Sequence, residues 1–246
     1  MNSLTRVFCV SNRVVSAQPR ACFDAICDCL DRAAGSCADI VLFPQLALSS
    51  AGCGTLFKSP LILDLCREQL DHIRLRSRDM NAFIVIGLVI DDGGEPVSAC
   101  AVLHRGQLLG FVPAASFPAA PYLKPAAPGM APPDGFGQML PSDTVFASGG
   151  LSFCVVPSSL EDFARDAYAA AQTGCDLILF PSLTPVTAGR IDTFRQEVAT
   201  VSRSLGIGVA AVNGGLGESS SPYLYRSFAV VSECGETLSF ALQSGP

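Results

Sequence analysis

The order Asp39-Ile40-Val41-Leu42-Phe43-Pro44-Gln45-Leu46 recurs at Asp176-Leu177-Ile178-Leu179-Phe180-Pro181-Ser182-Leu183, as acid, three aliphatics, Phe, Pro, polar residue, Leu. An apolar run closed by proline reads as a buried strand, because proline brings no N–H to the ladder and ends the pairing. Both copies follow a helix-like segment, and the likeness extends loosely to Ala51-Gly52 and Ala188-Gly189. A duplication of β/α units is therefore expected, with Gln45 and Ser182 at equivalent corners of the two halves. A polar side chain just past the carboxyl end of a strand stands where open α/β sheets place their ligands.

The periodicity of the remaining chain supports this. Residues 5–11 and 38–44 read as strands on either side of a helix over 19–34, whose apolar positions are Phe23, Ile26, Cys27 and Leu30. A second helix over 61–79 carries Leu63, Leu65, Cys66, Leu70 and Ile73 on one side and leads to a buried strand at 82–89. Strands at 98–104 and 107–112 flank Arg105-Gly106, a hairpin turn with glycine where positive φ is wanted. The second half repeats the series: strand 151–156, helix 160–173, strand 176–181, helix 190–205, strand 207–212, then a hairpin of 227–233 and 237–242 turned by Cys234-Gly235-Glu236. Helical crossovers of this length predict parallel pairing. Between the halves, residues 113–142 include eight prolines in thirty positions. A loop that long in a compact domain reads as a lid or binding segment. At 246 residues and 49% hydrophobic content, the chain suits one α/β domain spanning 1–246.

Several function classes are disfavoured. The net charge is −6 and no basic run is present, which argues against nucleic acid or an anionic membrane as partner. No apolar stretch reaches the roughly 18 residues of a membrane span. The start of the chain, with the run Arg6-Val7-Phe8-Cys9-Val10, has no signal-peptide layout, and the eleven cysteines are placed singly in apolar segments. A reduced, cytoplasmic setting is the expectation. Cys22, Cys27 and Cys29 form no Cys-x-x-Cys pair and have no nearby histidine, and His72 and His104 stand alone, so no metal is expected. No cofactor is expected either. Asn213-Gly214-Gly215-Leu216-Gly217 lacks the spacing and the lysine of a phosphate loop.

Five stretches, in order, carry a family resemblance. Phe43-Pro44-Gln45-Leu46 and Cys53-Gly54-Thr55-Leu56-Phe57 resemble the Phe-Pro-Glu-Leu and Cys-Gly-Asp-Leu-Phe segments of the carbon–nitrogen hydrolase (nitrilase) superfamily. The second of these is most similar to the glutaminase domain of glutamine-dependent NAD synthetases. Ser98-Ala99-Cys100-Ala101-Val102 before Arg105-Gly106-Gln107-Leu108-Leu109-Gly110-Phe111-Val112-Pro113 resembles the family's Cys-Ala … Gly-x-x-x-Gly-x-Val-Pro-Lys. Pro181-Ser182-Leu183-Thr184-Pro185 with Gly189-Arg190, and Val212-Asn213-Gly214-Gly215 with Tyr225-Arg226-Ser227, are similar to its later motifs. The resemblance implies a four-layer α-β-β-α sandwich with pseudo-twofold duplication, self-associating through a helical face as a homo-oligomer. An unrelated α/β protein with similar strand patterning would lack the two-sheet sandwich.

The family hydrolyses amides with a cysteine nucleophile, a glutamate base and a lysine at the oxyanion. The resemblance places Gln45 at the glutamate, Ala114 at the lysine and Ser158, or Ser159 if the turn is one residue longer, at the cysteine. A carboxamide takes up no proton at neutral pH. Loss of a general base typically costs about 10²–10⁴ in rate, and loss of one oxyanion donor roughly 2.7–4 kcal/mol. Lys124 is a candidate relocated cation, with a solvated loop lysine as the simpler reading. Ser158-Ser159-Leu160-Glu161-Asp162 also reads as an ordinary helix N-cap followed by acids in the first turn. Neither Cys53 nor Cys154 gains an ionising partner. The expectation is a catalytically inactive domain with a structural, regulatory or ligand-binding role. In it Gln45, Ser158 and Ser182 hold a small amide or glutamine-like ligand under the 113–142 loop. The alternative is an active amidohydrolase or glutaminase with rearranged residues, supplying ammonia to a synthetase partner for NAD synthesis.

Overall fold

A computed structural model describes residues 4–93, 95–114, 122–124, 136–217 and 223–243. Most of the expected lid, residues 115–121 and 125–135, lies outside the described residues.

The first sheet comprises β1 (Val7–Cys9), β2 (Ile40–Leu42), β3 (Phe83–Asp92), β4 (Glu95–His104) and β5 (Gln107–Pro113), in that spatial order. Helices α1 (Pro19–Gly35) and α2 (Pro60–Arg76) make the crossovers that let β1, β2 and β3 run parallel. The second sheet has β6 (Val145–Ser148), β7 (Leu151–Val155), β8 (Leu177–Ser182), β9 (Gly208–Asn213), β10 (Phe228–Glu233) and β11 (Glu236–Leu242), ordered from β11 to β6. Here α3 (Leu160–Ala171) and α4 (Arg190–Leu205) are the crossovers of the parallel strands β7, β8 and β9. In each half the last two strands turn back antiparallel.

Alternation along the strands assigns the layers. Val41, Ile84, Ile86, Ala99 and Ala101 pack with Ile26, Leu30, Leu70 and Ile73 of α1 and α2. Ile178, Phe180, Val209 and Ala211 pack with Phe163, Ala167, Phe194 and Val198 of α3 and α4. The intervening residues, among them Ile40, Leu42, Val85, Val102, Phe153, Val155, Leu179 and Val212, meet between the sheets. Strands buried on both faces read as continuous apolar runs, which is why the two repeats stood out in the sequence. The four-layer α-β-β-α arrangement is the expected one.

The duplication extends to individual hydrogen bonds. The Val10 N–H donates to the Leu42 carbonyl at 2.9 Å, and the Val156 N–H to that of Leu179 at 2.8 Å. Ile40 pairs with Phe83 as Leu177 pairs with Gly208, and Ala99 pairs with Pro113 as Phe228 pairs with Leu242. The register shifts between Val102 and Leu103 in one half and between Val231 and Ser232 in the other. Both hairpins turn on a residue pair with positive φ, Arg105-Gly106 (48° and 75°) and Cys234-Gly235 (49° and 89°). Gln45 and Ser182 are equivalent by this register.

Three details differ from the sequence reading. β1 and β2 are only three residues long, because the chain leaves the ladder before the apolar run ends. The second helix stops at Arg76 and continues as a 3₁₀ turn over Ser77–Asp79. β6 had no sequence signal: only Phe146 of its four residues is buried, stacking on Phe153 at 5.4 Å, so no alternation marks it.

Gly87 carries the closest backbone approach near the site. A Cβ there would lie 2.4 Å from the Gln45 Cα and 2.5 Å from the Pro44 carbonyl oxygen. At Gly35 a Cβ meets nothing within 4 Å. Urea unfolding is expected to show Gly87→Ala losing about 3 kcal/mol, since backbone cannot yield as a side chain does. Gly35→Ala should be neutral or gain up to about 1 kcal/mol. Equal effects of the two substitutions would contradict this packing.

Candidate functional site

The site grows from the way β2 ends. Past Leu42 the chain keeps hold of β3: the Phe43 N–H donates to the Val85 carbonyl at 2.9 Å, and the Gly87 N–H to the Pro44 carbonyl at 3.2 Å. Leu46 then takes φ 52°, a left-handed conformation that costs an L-residue roughly 1–2 kcal/mol. This sharp turn leaves the Gln45 side chain buried, only 3% exposed, beside Gly87. The Gln45 Nε2 has no hydrogen-bond partner among the described residues.

Ala114 follows β5 and is buried; its N–H donates to the Ser98 carbonyl at 3.1 Å. A methyl group therefore occupies the position at which the resemblance expects a cation. The Ser98 hydroxyl is likewise buried and without a partner among the described residues. Across the sandwich, a Cβ on Gly214 would lie 3.2 Å from the Pro44 ring and 2.9 Å from Leu183, so the ends of β2, β8 and β9 meet.

Ser158 and Ser159 follow β7 and do different things. Ser159 is the N-cap of α3: its Oγ accepts from the Asp162 N–H at 3.1 Å and donates to the Asp162 carboxylate at 2.9 Å. Ser158 is buried, and its Oγ donates to Asp166 Oδ2 at 2.5 Å. A carboxylate therefore stands beside the serine. Asp166 lies two turns into α3, a spacing that the sequence reading did not connect to the turn. Its other oxygen accepts from the exposed Arg165 guanidinium at 2.9 Å. Ser158, Asp166, Asp143 and Pro113 line a cavity of about 80 Å³. The structure thus brings Ser158 next to the residue preceding Ala114, while Gln45 is not part of the cavity wall.

The remaining candidates are engaged elsewhere. The Lys124 ammonium pairs with Glu95 at 2.8 Å and its side chain is 60% exposed. The Cys53 thiol donates to the Ser49 carbonyl at 2.8 Å and accepts from the Ala17 N–H at 3.2 Å. Cys154 is held protonated: its hydrogen bond with Cys175, and then burial, push its thiol well up. The same bond lowers Cys175, which is buried behind α3. Among the described residues no group of three His, Cys, Asp or Glu side chains is placed to hold a metal ion.

The duplication supplies an internal control for the polar groups. By register, Ser182 matches Gln45, Thr184 matches Ala47, and Asn213 matches Leu88. In the second half these groups satisfy one another. Ser182 Oγ lies 2.7 Å from Thr184 Oγ1, and Asn213 Oδ1 accepts from the Thr184 N–H at 2.7 Å. The Asn213 Nδ2 donates to the carbonyls of Thr184, Gly214 and Arg226. In the first half Ala47 and Leu88 offer Gln45 nothing. Ser98 matches Ser227, whose hydroxyl bonds Ser11; the match for Ser11 is Pro157, which has no hydroxyl to give. Of the matched pairs at these corners, Gln45 with Ser182 and Ser98 with Ser227, only the first-half members lack a partner among the described residues. Sequence reading noted Asn213 as a motif residue but had no means of seeing that it closes its corner.

Stability should report the difference between the corners. Asn213→Leu is expected to lose about 2 kcal/mol or more, because it strips partners from buried groups. Gln45→Met removes an unpaired donor and should be neutral or stabilising in the same urea titration. A comparable loss at both positions would show that Gln45 is bound into the fold as Asn213 is.

No protein-family model matches the chain. Over 186 residues, 72% of its length, it is 27% identical to a glutamine-dependent NAD(+) synthetase of Xanthomonas campestris pv. campestris, of which it spans 30%. The structure of a glutamine-dependent NAD(+) synthetase from Acinetobacter baumannii superposes with TM-score 0.77 at 18% identity, covering 96% of this chain and 43% of that one. A double mutant of the amidase from Nesterenkonia sp. AN1, in complex with acrylamide, superposes with TM-score 0.74 at 19% identity over 97% of this chain and 86% of that one. The chain therefore has the nitrilase-like fold of the carbon–nitrogen hydrolases, and its relatives in sequence are glutamine-dependent NAD(+) synthetases.

Proposed function

We propose that this chain is a nitrilase-like, glutaminase-type domain that holds a small carboxamide ligand without hydrolysing it. The observation that carries the reading is the buried Gln45 amide, whose Nε2 has no acceptor among the described residues, at the position where the resemblance expects the general base. An amide there donates a hydrogen bond to a ligand carbonyl but cannot take the proton of an attacking nucleophile. Ala114 adds no positive charge for a developing oxyanion, and Ser158 is a far weaker nucleophile than a thiolate. The Nesterenkonia amidase in complex with acrylamide carries a glutamine for a glutamate and an alanine for a cysteine, which supports ligand retention by such a fold without those groups.

A second reading has one observation in its favour, the Ser158–Asp166 hydrogen bond. In it Ser158 Oγ attacks an amide carbon while Asp166 takes the hydroxyl proton. Asp166 passes that proton to the departing ammonia, and water then cleaves the ester. Such a domain would be a glutaminase supplying ammonia to a synthetase partner.

The two readings separate on ammonia release from glutamine, asparagine and simple amides, measured beside calorimetric titration of the same compounds. The expected result is saturable binding of an amide, weakened by Gln45→Leu, with ammonia release at the blank. Release that disappears in both Ser158→Ala and Asp166→Asn would overturn the first reading in favour of the second. Activity in the triple variant Gln45→Glu, Ala114→Lys, Ser158→Cys would confirm the positional assignments.

A further inference from the structure

The register that pairs the halves also locates a second cavity. By that register Gln243 takes the place of Ala114, Ser227 that of Ser98, and Arg226 that of Val97. The correspondence holds at the hydrogen bond: the Gln243 N–H donates to the Ser227 carbonyl at 3.0 Å, as that of Ala114 does to Ser98. Two of the three positions have gained polarity. Arg226, Ser227 and Gln243 lie along a cavity of about 230 Å³ whose other wall is the Gly215–Gly217 turn.

The chemistry of this cavity is one-sided. Ser227 Oγ accepts from Ser11 at 2.9 Å, which leaves its own proton to donate. Gln243 and Arg226 carry N–H donors; Arg226 also lines a neighbouring cavity with Asp192, whose carboxylate pairs with Arg195. Among the described residues no carboxylate lines the cavity and none pairs with Arg226. That contrasts with the Ser158 cavity, which has two aspartates in its wall. The Gly215–Gly217 wall is fixed. The Val14 N–H donates to the Leu216 carbonyl at 2.9 Å, a Cβ on Gly217 would lie 2.0 Å from the Val14 carbonyl oxygen, and one on Gly215 would lie 2.6 Å from the Arg226 backbone nitrogen. A guanidinium with no partner among the described residues, beside neutral donors on a rigid backbone, is matched to a small anion.

We infer that this cavity is a second ligand site, separate from the Gln45 corner, which takes a small oxyanion through Arg226, Gln243 and Ser227. The oxyanion is the carboxylate of a small organic acid or inorganic phosphate, since both accept the same fork of N–H donors. The test is calorimetric titration of the whole chain at low ionic strength with succinate, L-glutamate and inorganic phosphate, with acetamide as neutral control. Arg226 is exposed, so Arg226→Gln should unfold in urea like the parent. The expected result is one saturable site per chain for an acid or for phosphate, weakened about tenfold or more in Arg226→Gln. That site should be unchanged in Gln45→Leu and not displaced by acetamide. The preferred probe identifies the source of the oxyanion. Equal affinity in parent and Arg226→Gln, displacement by acetamide, or no saturable binding of any of the three probes up to about 10 mM would overturn the inference.

Discussion

Pro44 carries the contacts on which the rest of the molecule turns. Its carbonyl takes the Gly87 N–H, its backbone and that of Gln45 lie where a Gly87 side chain would be, and its ring packs against Gly214 of the opposite sheet. One residue therefore ends β2, locks it to β3 beyond the regular ladder and joins the two sheets. The left-handed Leu46 that follows is tolerated because these contacts leave the chain no other course, and conformational strain of this kind collects at sites where a side chain must be aimed. Gln45 points inward as a consequence of backbone geometry rather than of its own bonds.

A duplicated fold lets one half be judged by the other. Ser182, Thr184 and Asn213 show how this corner looks when its polar groups serve the structure: each is buried, and Thr184 is bonded to both of the others. Gln45 and Ser98 are buried without that closure. An unsatisfied buried group costs about 1–3 kcal/mol. The same corner is thus closed by internal hydrogen bonding in one copy and left open in the other. Arg226 and Gln243 divide the halves a second time, with the added polarity now on the other side.

Much of this architecture was legible because its signals are local. The proline-ended apolar runs mark strands covered on both faces, and the Arg105-Gly106 and Cys234-Gly235 pairs supply the positive φ that tight hairpins need. Pro19 and Pro60 open the helices that carry the crossovers. β6 was not legible, because an edge strand with one buried residue has no pattern to show. The candidate positions Gln45, Ala114 and Ser158 were reached through ordered motifs along the chain. Ser159 was legible as a cap from the acids that follow it.

What the sequence determined by itself is the doubled α/β plan and the chemistry absent from its corners: no carboxylate at Gln45, no ammonium at Ala114, no thiol at Ser158. Those are properties of residue identity, and patterning with periods of two and 3.6 carries the elements. Only the tertiary structure decided which polar groups are spent and which are left over. Asp166 meets Ser158 because α3 folds back over the end of β7, and Asn213 closes its corner because β9 lies beside β8. Hydrogen bonds reach about 3 Å in space whatever the separation along the chain, so their partners are set by how the layers stack and not by the order of the residues.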